Sequence, residues 1–383
     1  MGPTSRIVIG LVLGAALVVP VLVGIGWWWR SRGQGRRVRR VAVAVGVAVG
    51  VLASQVLAVA GAAAVVNREL GFYPTWDALV SAADDGDPLA GMGGGASSGE
   101  TLNQAEIARI AKDGWAPHPV QPAAGNGTYR DYLVNGGKAK TKQKVIAWMP
   151  PGYEKNDKAK DLPVVLVLGG AYVTTDFAAN GLHFGDEAAQ LVRDRKVPPF
   201  VALFPEINIK LPNDTECVDY PGGPQAYSWL AHDVPTWAVK TLGVAPTGPK
   251  WSVIGWSLGG YCAAKLHVNN PREFGAGASI QGFYAPIPDG STGALALDLA
   301  RNPELRHTSD VAWMLQHRPP ANTKLLVMSS QADPQSWPQT STFLNATRGI
   351  PGIRPLLIDG QGHTLNSWRK TLPTVLPYLL GTS

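Results

Sequence analysis

Cysteine, charge and metal-binding patterns are all scarce in this sequence. Only two cysteines occur in 383 residues, Cys217 and Cys262, and 16% of the residues are charged. The two cysteines have neither the spacing of a zinc site nor that of a redox-active CxxC pair. The two cysteines therefore indicate neither a zinc site nor a redox-active pair.

The net positive charge of the chain comes from its first 40 residues. Seven of the 34 lysines and arginines lie there without any acidic residue, so the rest of the chain has 27 basic and 28 acidic residues. Binding to DNA or RNA depends on a basic face that contacts phosphates. The near-neutral remainder therefore excludes nucleic acid as a partner.

Two long apolar segments stand near the N-terminus. Residues 7–29 and 41–66 are uncharged and long enough to cross the hydrocarbon core of a membrane as helices. Residues 30–40 contain six arginines, which are expected to stay in the cytoplasm and to place the following chain outside. A single signal peptide is the alternative, but both segments are longer than its usual apolar region.

The chain is predicted to comprise an anchor, a linker and one large domain. Residues 1–67 form the membrane anchor, and residues 68–100 form a juxtamembrane segment with a Gly-rich linker. Residues 101–383 form an extracytoplasmic domain, which begins with a short helix from Thr101 to Gly114. The 45% hydrophobic content of the chain is enough for a sizeable core.

Strand-like and helical patterns alternate along this domain, which predicts a doubly wound α/β fold. TYRDYLV and QKVIAWMP are predicted to form an antiparallel pair. Six further runs lack polar alternation, as in parallel strands buried on both faces: LPVVLVLGG, PFVALFPE, WSVIG, AGASIQG, KLLVMSS and RPLLIDG. Helices are predicted at DEAAQLVRDRK, YSWLAHDVPTWAVKTLG, YCAAKLHV, TGALALDLARN and the closing LNSWRKTLPTVLPYLL. Pro235 is expected to kink its helix or to mark a join between two helices.

Residues 251–260, WSVIGWSLGG, have the pattern of a nucleophile elbow. Ser257 stands between Gly255 and Gly259, after a strand-like run and before a helical pattern. The sharp turn strains the serine backbone, and only glycine is tolerated two positions before and after it. Residues 95–99 match the same pattern, but they lack a preceding strand and a following helix and are typical of a flexible linker.

A serine nucleophile needs a base, and the base needs an orienting acid. In α/β hydrolases these follow the serine in the order acid, then histidine, on loops after later strands. Asp333 follows the run KLLVMSS and His363 follows RPLLIDG, so both are candidates. The other histidines lie earlier in the chain and are expected to be surface or packing residues. Asp359 is the alternative acid, but it lies too close to His363 in sequence to reach Nδ1 from the proper side.

The oxyanion formed during such a reaction needs two backbone N–H donors. The amide of Leu258, directly after the serine, supplies the first. The amide of Ala171, or of its neighbour, is the candidate for the second because it follows Gly169 and Gly170 at a strand end. A plain Gly-Gly turn is the alternative for this segment; a P-loop is excluded because no GK[ST] follows.

Cys217 and Cys262 are candidates for a disulfide, because an even number of cysteines outside the cytoplasm favours pairing. The bond would tie the loop after PFVALFPE to the start of the helix after Ser257, and it would brace the elbow. Two unpaired thiols are the alternative, since the sequence does not give their separation.

Several separated motifs resemble one known superfamily: GWSLGGYCAAKL, DTECVD, HDVPTWAV and GQGHTLNSWR. Over about residues 125–380 the chain is similar to the esterase D and antigen 85-like mycolyltransferase superfamily, in particular to its membrane-anchored actinobacterial members. The resemblance implies an α/β-hydrolase fold with Ser257 as nucleophile, His363 as base and an acid after the preceding strand. The chain differs from the mycolyltransferases in offering Asp333 where they use a glutamate, and in carrying two membrane spans where they are secreted.

The sequence thus predicts a membrane-anchored, extracytoplasmic serine esterase with an α/β-hydrolase fold, acting on ester or acyl-lipid substrates. Ser257 would attack the ester carbonyl, His363 would take and return the proton, and Asp333 would hold the imidazolium. This chemistry needs neither a metal ion nor an organic cofactor. One alternative is an acyltransferase that moves the acyl group to an envelope sugar or lipid. Another is a catalytically silent hydrolase fold that serves as an envelope scaffold. The sequence gives no indication of the oligomeric state.

Overall fold

The computed structural model describes Pro3, residues 5–70 except 31 and 34, Trp76, residues 121–153, and residues 161–381 except 172 and 212. Most of the predicted linker, the second serine motif at 95–99 and the predicted helix from Thr101 to Gly114 lie outside these residues. The chain divides into two compact units. The first comprises Met1–Gly99, Ala332–Gln335 and Gly360–Thr364; the second comprises Glu100–Gln331, Ser336–Asp359 and Leu365–Ser383.

Two long helices, α1 (Arg6–Arg30) and α2 (Arg36–Leu70), dominate the first unit. Both are long and apolar enough to cross a membrane, by a test of length and composition that a signal sequence also passes. The loop between them is shorter than the predicted residues 30–40, because the arginines from Arg36 onward begin α2. Arginine is a good helix former, so its charge does not end a helix.

The two helices pack closely through small residues of α2. A Cβ atom added at Gly46 would collide with Trp27, and one at Gly61 would collide with Leu13. Between these contacts, the Ser54 hydroxyl donates a 2.6 Å hydrogen bond to a carbonyl of α1, that of Ala16. Small residues let helix backbones approach closely, and a serine hydroxyl can donate its hydrogen bond to the neighbouring helix across an apolar interface. The helices therefore form an antiparallel hairpin.

An eight-stranded sheet forms the centre of the second unit, in the order β1-β2-β4-β3-β5-β6-β7-β8. The strands are β1 (Thr128–Gly136), β2 (Thr141–Met149), β3 (Val164–Leu168), β4 (Val201–Pro205), β5 (Gly248–Trp256), β6 (Phe274–Ile280), β7 (Leu325–Ser329) and β8 (Ile353–Leu357). β1 pairs antiparallel with β2, and β2 pairs antiparallel with β4. All other neighbours are parallel. The predicted α/β-hydrolase sheet, with its early antiparallel pair, is confirmed.

Helices connect and cover these strands. They are α3 (Thr175–Asn180), α4 (Phe184–Arg193), α5 (Ala226–Ser228), α6 (Val234–Leu242), α7 (Leu258–Asn269), α8 (Leu295–Arg301), α9 (Pro303–Ser309), α10 (Val311–His317), α11 (Trp337–Ala346), α12 (Leu365–Arg369) and α13 (Leu372–Leu380). A π-helical turn, Trp229–Asp233, joins α5 to α6. Pro235 lies in the first turn of α6, so it marks a join between two helical segments, as predicted.

Two predictions from the sequence are wrong in detail. The closing helix is not continuous but breaks between α12 and α13, because Pro373 lies in the first turn of α13, where a missing N–H is tolerated. Strand β8 is not buried on both faces, since its residues from Arg354 to Leu357 are exposed. This strand is the outer edge of the sheet, and Pro355, which cannot donate a hydrogen bond, suits an edge position.

Candidate active site

Ser257 occupies the turn between β5 and α7 in a strained backbone conformation. Its φ of 55° and ψ of −126° lie where residues with a side chain are rarely found. The Ser257 amide donates to the carbonyl of Ile280 at 3.1 Å, and its carbonyl accepts from the amides of Gly260 and Tyr261. Such strain costs about 1–3 kcal/mol, so the surrounding hydrogen bonds must hold the turn in place.

The two glycines of the motif are required by close backbone contacts. A Cβ atom at Gly255 would collide with the carbonyl of Gly259, the second residue of α7. A Cβ atom at Gly259 would collide with the carbonyl oxygens of Leu168 and Gly169 at the end of β3. The expectation that only glycine fits two positions before and after the serine is confirmed.

The two predicted oxyanion donors belong to segments that adjoin the serine. Leu258 is the first residue of α7, and an amide at this position has no partner inside its own helix. At the end of β3, a Cβ atom on Gly170 would lie 3.5 Å from the Ser257 Cβ, so Ala171 follows a residue that borders the serine. Neither the Leu258 nor the Ala171 amide donates a backbone hydrogen bond among the described residues.

Asp333 and His363 form a buried hydrogen-bonded pair. The Oδ2 atom of Asp333 lies 2.8 Å from Nδ1 of His363, and the Asp333 side chain is fully buried. The Oδ1 atom of Asp333 accepts a 3.0 Å hydrogen bond from the Gln335 amide, which fixes the carboxylate. With Nδ1 as the donor, Nε2 carries the lone pair and can accept a proton. The carboxylate on Nδ1 of His363 is thus that of Asp333, the candidate acid of the sequence analysis.

Three of the other histidines, His267, His307 and His317, pack against neighbouring groups. His267 is buried, with Nδ1 near the Phe274 carbonyl and Nε2 accepting from the Lys324 amide. Burial lowers the pKa of His267, which keeps its ring neutral. His307 and His317 stack against Trp313. His118 lies outside the described residues.

A disulfide joins Cys217 to Cys262, with their Cα atoms 5.7 Å apart. The bond ties the loop after β4 to the first turns of α7. One turn further along α7, the buried Lys265 ammonium donates to the Cys217 carbonyl at 2.9 Å and to the Ser309 hydroxyl at 3.2 Å. The nucleophile helix is therefore fastened to this loop by a covalent bond and by a hydrogen bond.

The buried ionisable groups of this loop and of α7 were not predicted from the sequence. Burial raises the pKa of Glu206 to about 8 and, with the nearby Asp214, raises the pKa of Glu216 to about 9. Burial also lowers the pKa of Lys265 to about 7. A signal was available, because Glu206 directly follows an apolar strand and Glu216 adjoins a half-cystine. No group of three or more histidine, cysteine or acidic residues in the described chain could hold a metal ion.

Residues 137–377 match the sequence model of the Esterase family, described as "Putative esterase". This match covers more than half of the chain. The chain belongs to this esterase family. The motif that carries the nucleophile in α/β hydrolases is present at Ser257.

One relative of known sequence supports the same superfamily. The MPT51 antigen of Mycobacterium leprae (strain TN) is 33% identical over 78 residues. The matched stretch is 20% of this chain and spans only 25% of the relative. Together with the family match, it confirms the resemblance to the esterase D and antigen 85-like superfamily.

Solved structures of several esterases share the fold. A ferulic acid esterase superposes with a TM-score of 0.57 at 19% identity, covering 66% of this chain and 98% of that one. An S-formylglutathione hydrolase from Agrobacterium tumefaciens gives 0.56 at 18% identity, covering 69% and 98%. The fluorophosphonate-binding serine hydrolase F of Staphylococcus aureus gives 0.56 at 12% identity, covering 67% and 99%. At these identities the likeness shows the α/β-hydrolase fold alone.

Proposed function

We propose that the chain is a membrane-anchored, extracytoplasmic serine esterase that acts through an acyl-serine intermediate on Ser257. The observation that carries the proposal is the 2.8 Å Asp333–His363 hydrogen bond, because it supplies an oriented base in a chain with a strained serine elbow. The topology supports the same grouping. Strands β5, β7 and β8 run in the same direction. The segments that carry Ser257, Asp333 and His363 therefore all begin at the carboxyl ends of the strands.

In the proposed mechanism, Ser257 Oγ attacks the ester carbonyl while Nε2 of His363 takes the hydroxyl proton. The Leu258 and Ala171 amides stabilise the tetrahedral oxyanion. Collapse of this intermediate breaks the ester bond, and His363 returns the proton to the departing alkoxide. A water molecule then attacks the acyl-serine while His363 takes its proton. Collapse of the second tetrahedral intermediate releases the carboxylic acid, and His363 returns the proton to Ser257 Oγ. Asp333 stabilises the imidazolium in both halves.

The anchor and its orientation rest on the N-terminal hairpin and the disulfide. The six arginines of residues 30–40 favour a cytoplasmic position for the connection between α1 and α2. Both ends of the hairpin would then lie outside, and the esterase domain would follow α2 there. The Cys217–Cys262 disulfide supports this location, because disulfides persist in oxidising compartments outside the cytoplasm.

Hydrolysis of short p-nitrophenyl esters by the full chain in detergent tests the chemistry. We expect turnover by the wild-type chain and none above the uncatalysed rate by Ser257→Ala. A folded wild-type chain without turnover would overturn the proposal in favour of a silent scaffold. Release of an acylated sugar when a sugar acceptor is added would identify the acyltransferase alternative, since the acceptor would then compete with water.

Protease protection tests the topology. In right-side-out vesicles, added trypsin should digest the chain after α2 and leave a fragment that contains the hairpin. In inverted vesicles the esterase domain should be protected. The opposite pattern, or release of the whole chain by alkaline carbonate, would refute the anchored extracytoplasmic arrangement.

A further inference from the structure

Trp368 lies in α12, the helix that begins two residues after His363. Its indole Nε1 donates a 2.6 Å hydrogen bond to Oε1 of Gln281. Its ring lies 5.7 Å from the ring of Trp256, at an interplanar angle of 32°. Trp256 is the last residue of β5 and directly precedes Ser257. The Trp368 side chain thus contacts both the strand that leads into the elbow and the loop after β6.

Gln281 is held in an uncommon conformation for this contact. Its φ is 46°, in the left-handed region that side-chain residues rarely adopt, and its side chain is fully buried. The Gln281 amide donates to the Met328 carbonyl at 2.7 Å, while the preceding carbonyl, that of Ile280, accepts from Ser257. The strained backbone and the buried side-chain amide of Gln281 both cost free energy, so its hydrogen bonds must offset that cost.

The contact matters because α12 is too short to hold its own orientation. It has five residues, Leu365–Arg369, and isolated helices of this length are not stable. Its direction must therefore come from side-chain anchors, and Trp368 is a buried one. A helix turned by a small angle at this point would move the segment that carries His363 directly before it.

We infer that Gln281 and Trp368 are positioning residues for the proposed base. The Trp368–Gln281 hydrogen bond and the Trp368–Trp256 contact hold α12, and with it the backbone that runs from His363 into this helix. The inference rests on the proposed function. In this scheme neither residue takes part in making or breaking a bond. Each acts through the backbone that it holds, and a small misplacement of a base costs catalytic rate more than substrate binding.

Trp368→Phe in the full chain tests this directly, because it removes the indole N–H and keeps an aromatic ring. The matched control is Trp251→Phe. Trp251 is also fully buried, and its Nε1 donates a 2.7 Å hydrogen bond to the Ala245 carbonyl. It lies on the same strand β5 but five residues before Trp256. Both variants lose a buried indole hydrogen bond, and only one loses it beside the elbow.

We expect Trp368→Phe to lower kcat by about tenfold with KM within about twofold, since orientation is lost while binding is kept. Labelling of Ser257 by a fluorophosphonate should slow by a similar factor. Trp251→Phe should lose comparable thermal stability, with kcat per folded molecule unchanged. Equal kcat values for the two variants, measured per labelled active site, would overturn the inference.

A double-mutant cycle separates the specific bond from general loosening. Gln281→Met keeps the length of the side chain and removes the acceptor. If the hydrogen bond is what positions α12, the double variant Gln281→Met/Trp368→Phe should be no slower than the slower single variant. Multiplication of the two single effects would refute the coupling. If wild-type chain is not labelled at Ser257 at all, the proposed function fails; if it is labelled and the cycle is additive, only the positioning role fails.

Discussion

The elbow and the acid–base pair are built from different kinds of interaction. Ser257 is positioned by backbone geometry, on a central strand whose glycines cannot accept a Cβ atom. Asp333 and His363 follow the last two strands and are held together by a side-chain hydrogen bond. A collision with the backbone forces the surrounding chain to move, whereas a single side-chain contact can be lost while the backbone stays in place. Substitutions at the elbow should therefore affect folding, and substitutions at the pair should affect rate.

The largest effect is expected from Gly259→Ala. The new methyl group would collide with two carbonyl oxygens at the end of β3, so either the elbow or the strand must move. We expect a loss of more than about 3 kcal/mol in the free energy of unfolding, together with all activity. Thermal unfolding measures it. Gly137→Ala is the control, because a Cβ atom there meets nothing within 4 Å; equal stability of the two variants would contradict the elbow geometry.

Asp333→Asn should come next and should act on rate. It keeps the shape of the side chain but removes the charge that stabilises the imidazolium and fixes its tautomer. We expect kcat/KM to fall by about 10³- to 10⁴-fold, while the melting temperature changes little. Asp359→Asn should stay within about twofold of wild type on the same ester substrate, because Asp359 is not on Nδ1. A reversal of these two results would mean that the acid has been assigned wrongly.

Loss of the disulfide should produce an intermediate effect on stability. Cys217 and Cys262 are 45 residues apart, and closing a loop of that size typically stabilises a fold by about 2–4 kcal/mol. Cys217→Ser/Cys262→Ser should therefore lower the melting temperature and reduce turnover, since α7 carries the elbow. Calorimetry with parallel ester assays checks both. An unchanged melting temperature would show that Lys265 alone fastens the loop.

The smallest effect is expected from Glu206→Gln near pH 4.5, and its effect on stability should grow as the pH rises to about 8. Because burial raises the pKa of Glu206 from 4.5 to about 8, the folded chain keeps a proton that the unfolded chain releases between these values. Wild-type stability must then fall as pH rises through this window, by at most about 1.4 kcal/mol per pH unit. The neutral glutamine should flatten this slope in urea unfolding curves. A slope unchanged by the substitution would show that Glu206 is ionised in the fold.

The contrast between backbone and side-chain control also explains what was predictable. The elbow could be predicted because its close backbone contacts require glycine at positions 255 and 259, and these glycines are visible in the sequence. Asp333 and His363 could be proposed only from chain order, which left Asp359 as an alternative acid. The contact between Gln281 and Trp368 joins segments that are far apart in sequence. No local pattern records such contacts, so the sequence did not indicate them.

Exposure of β8 was missed for a related reason. RPLLIDG has the apolar content of a buried strand, and only its position in the strand order makes it an edge. Pro355 was the available signal, since proline is confined to edges and irregularities of sheets.

The most direct test of the central claim is fluorophosphonate labelling of the full chain, with peptide mapping by mass spectrometry. We predict one adduct on Ser257, absent in Ser257→Ala and formed far more slowly in His363→Ala and Asp333→Asn. An adduct elsewhere, or labelling of Ser257 at the wild-type rate without the His363 imidazole, would contradict the proposed triad.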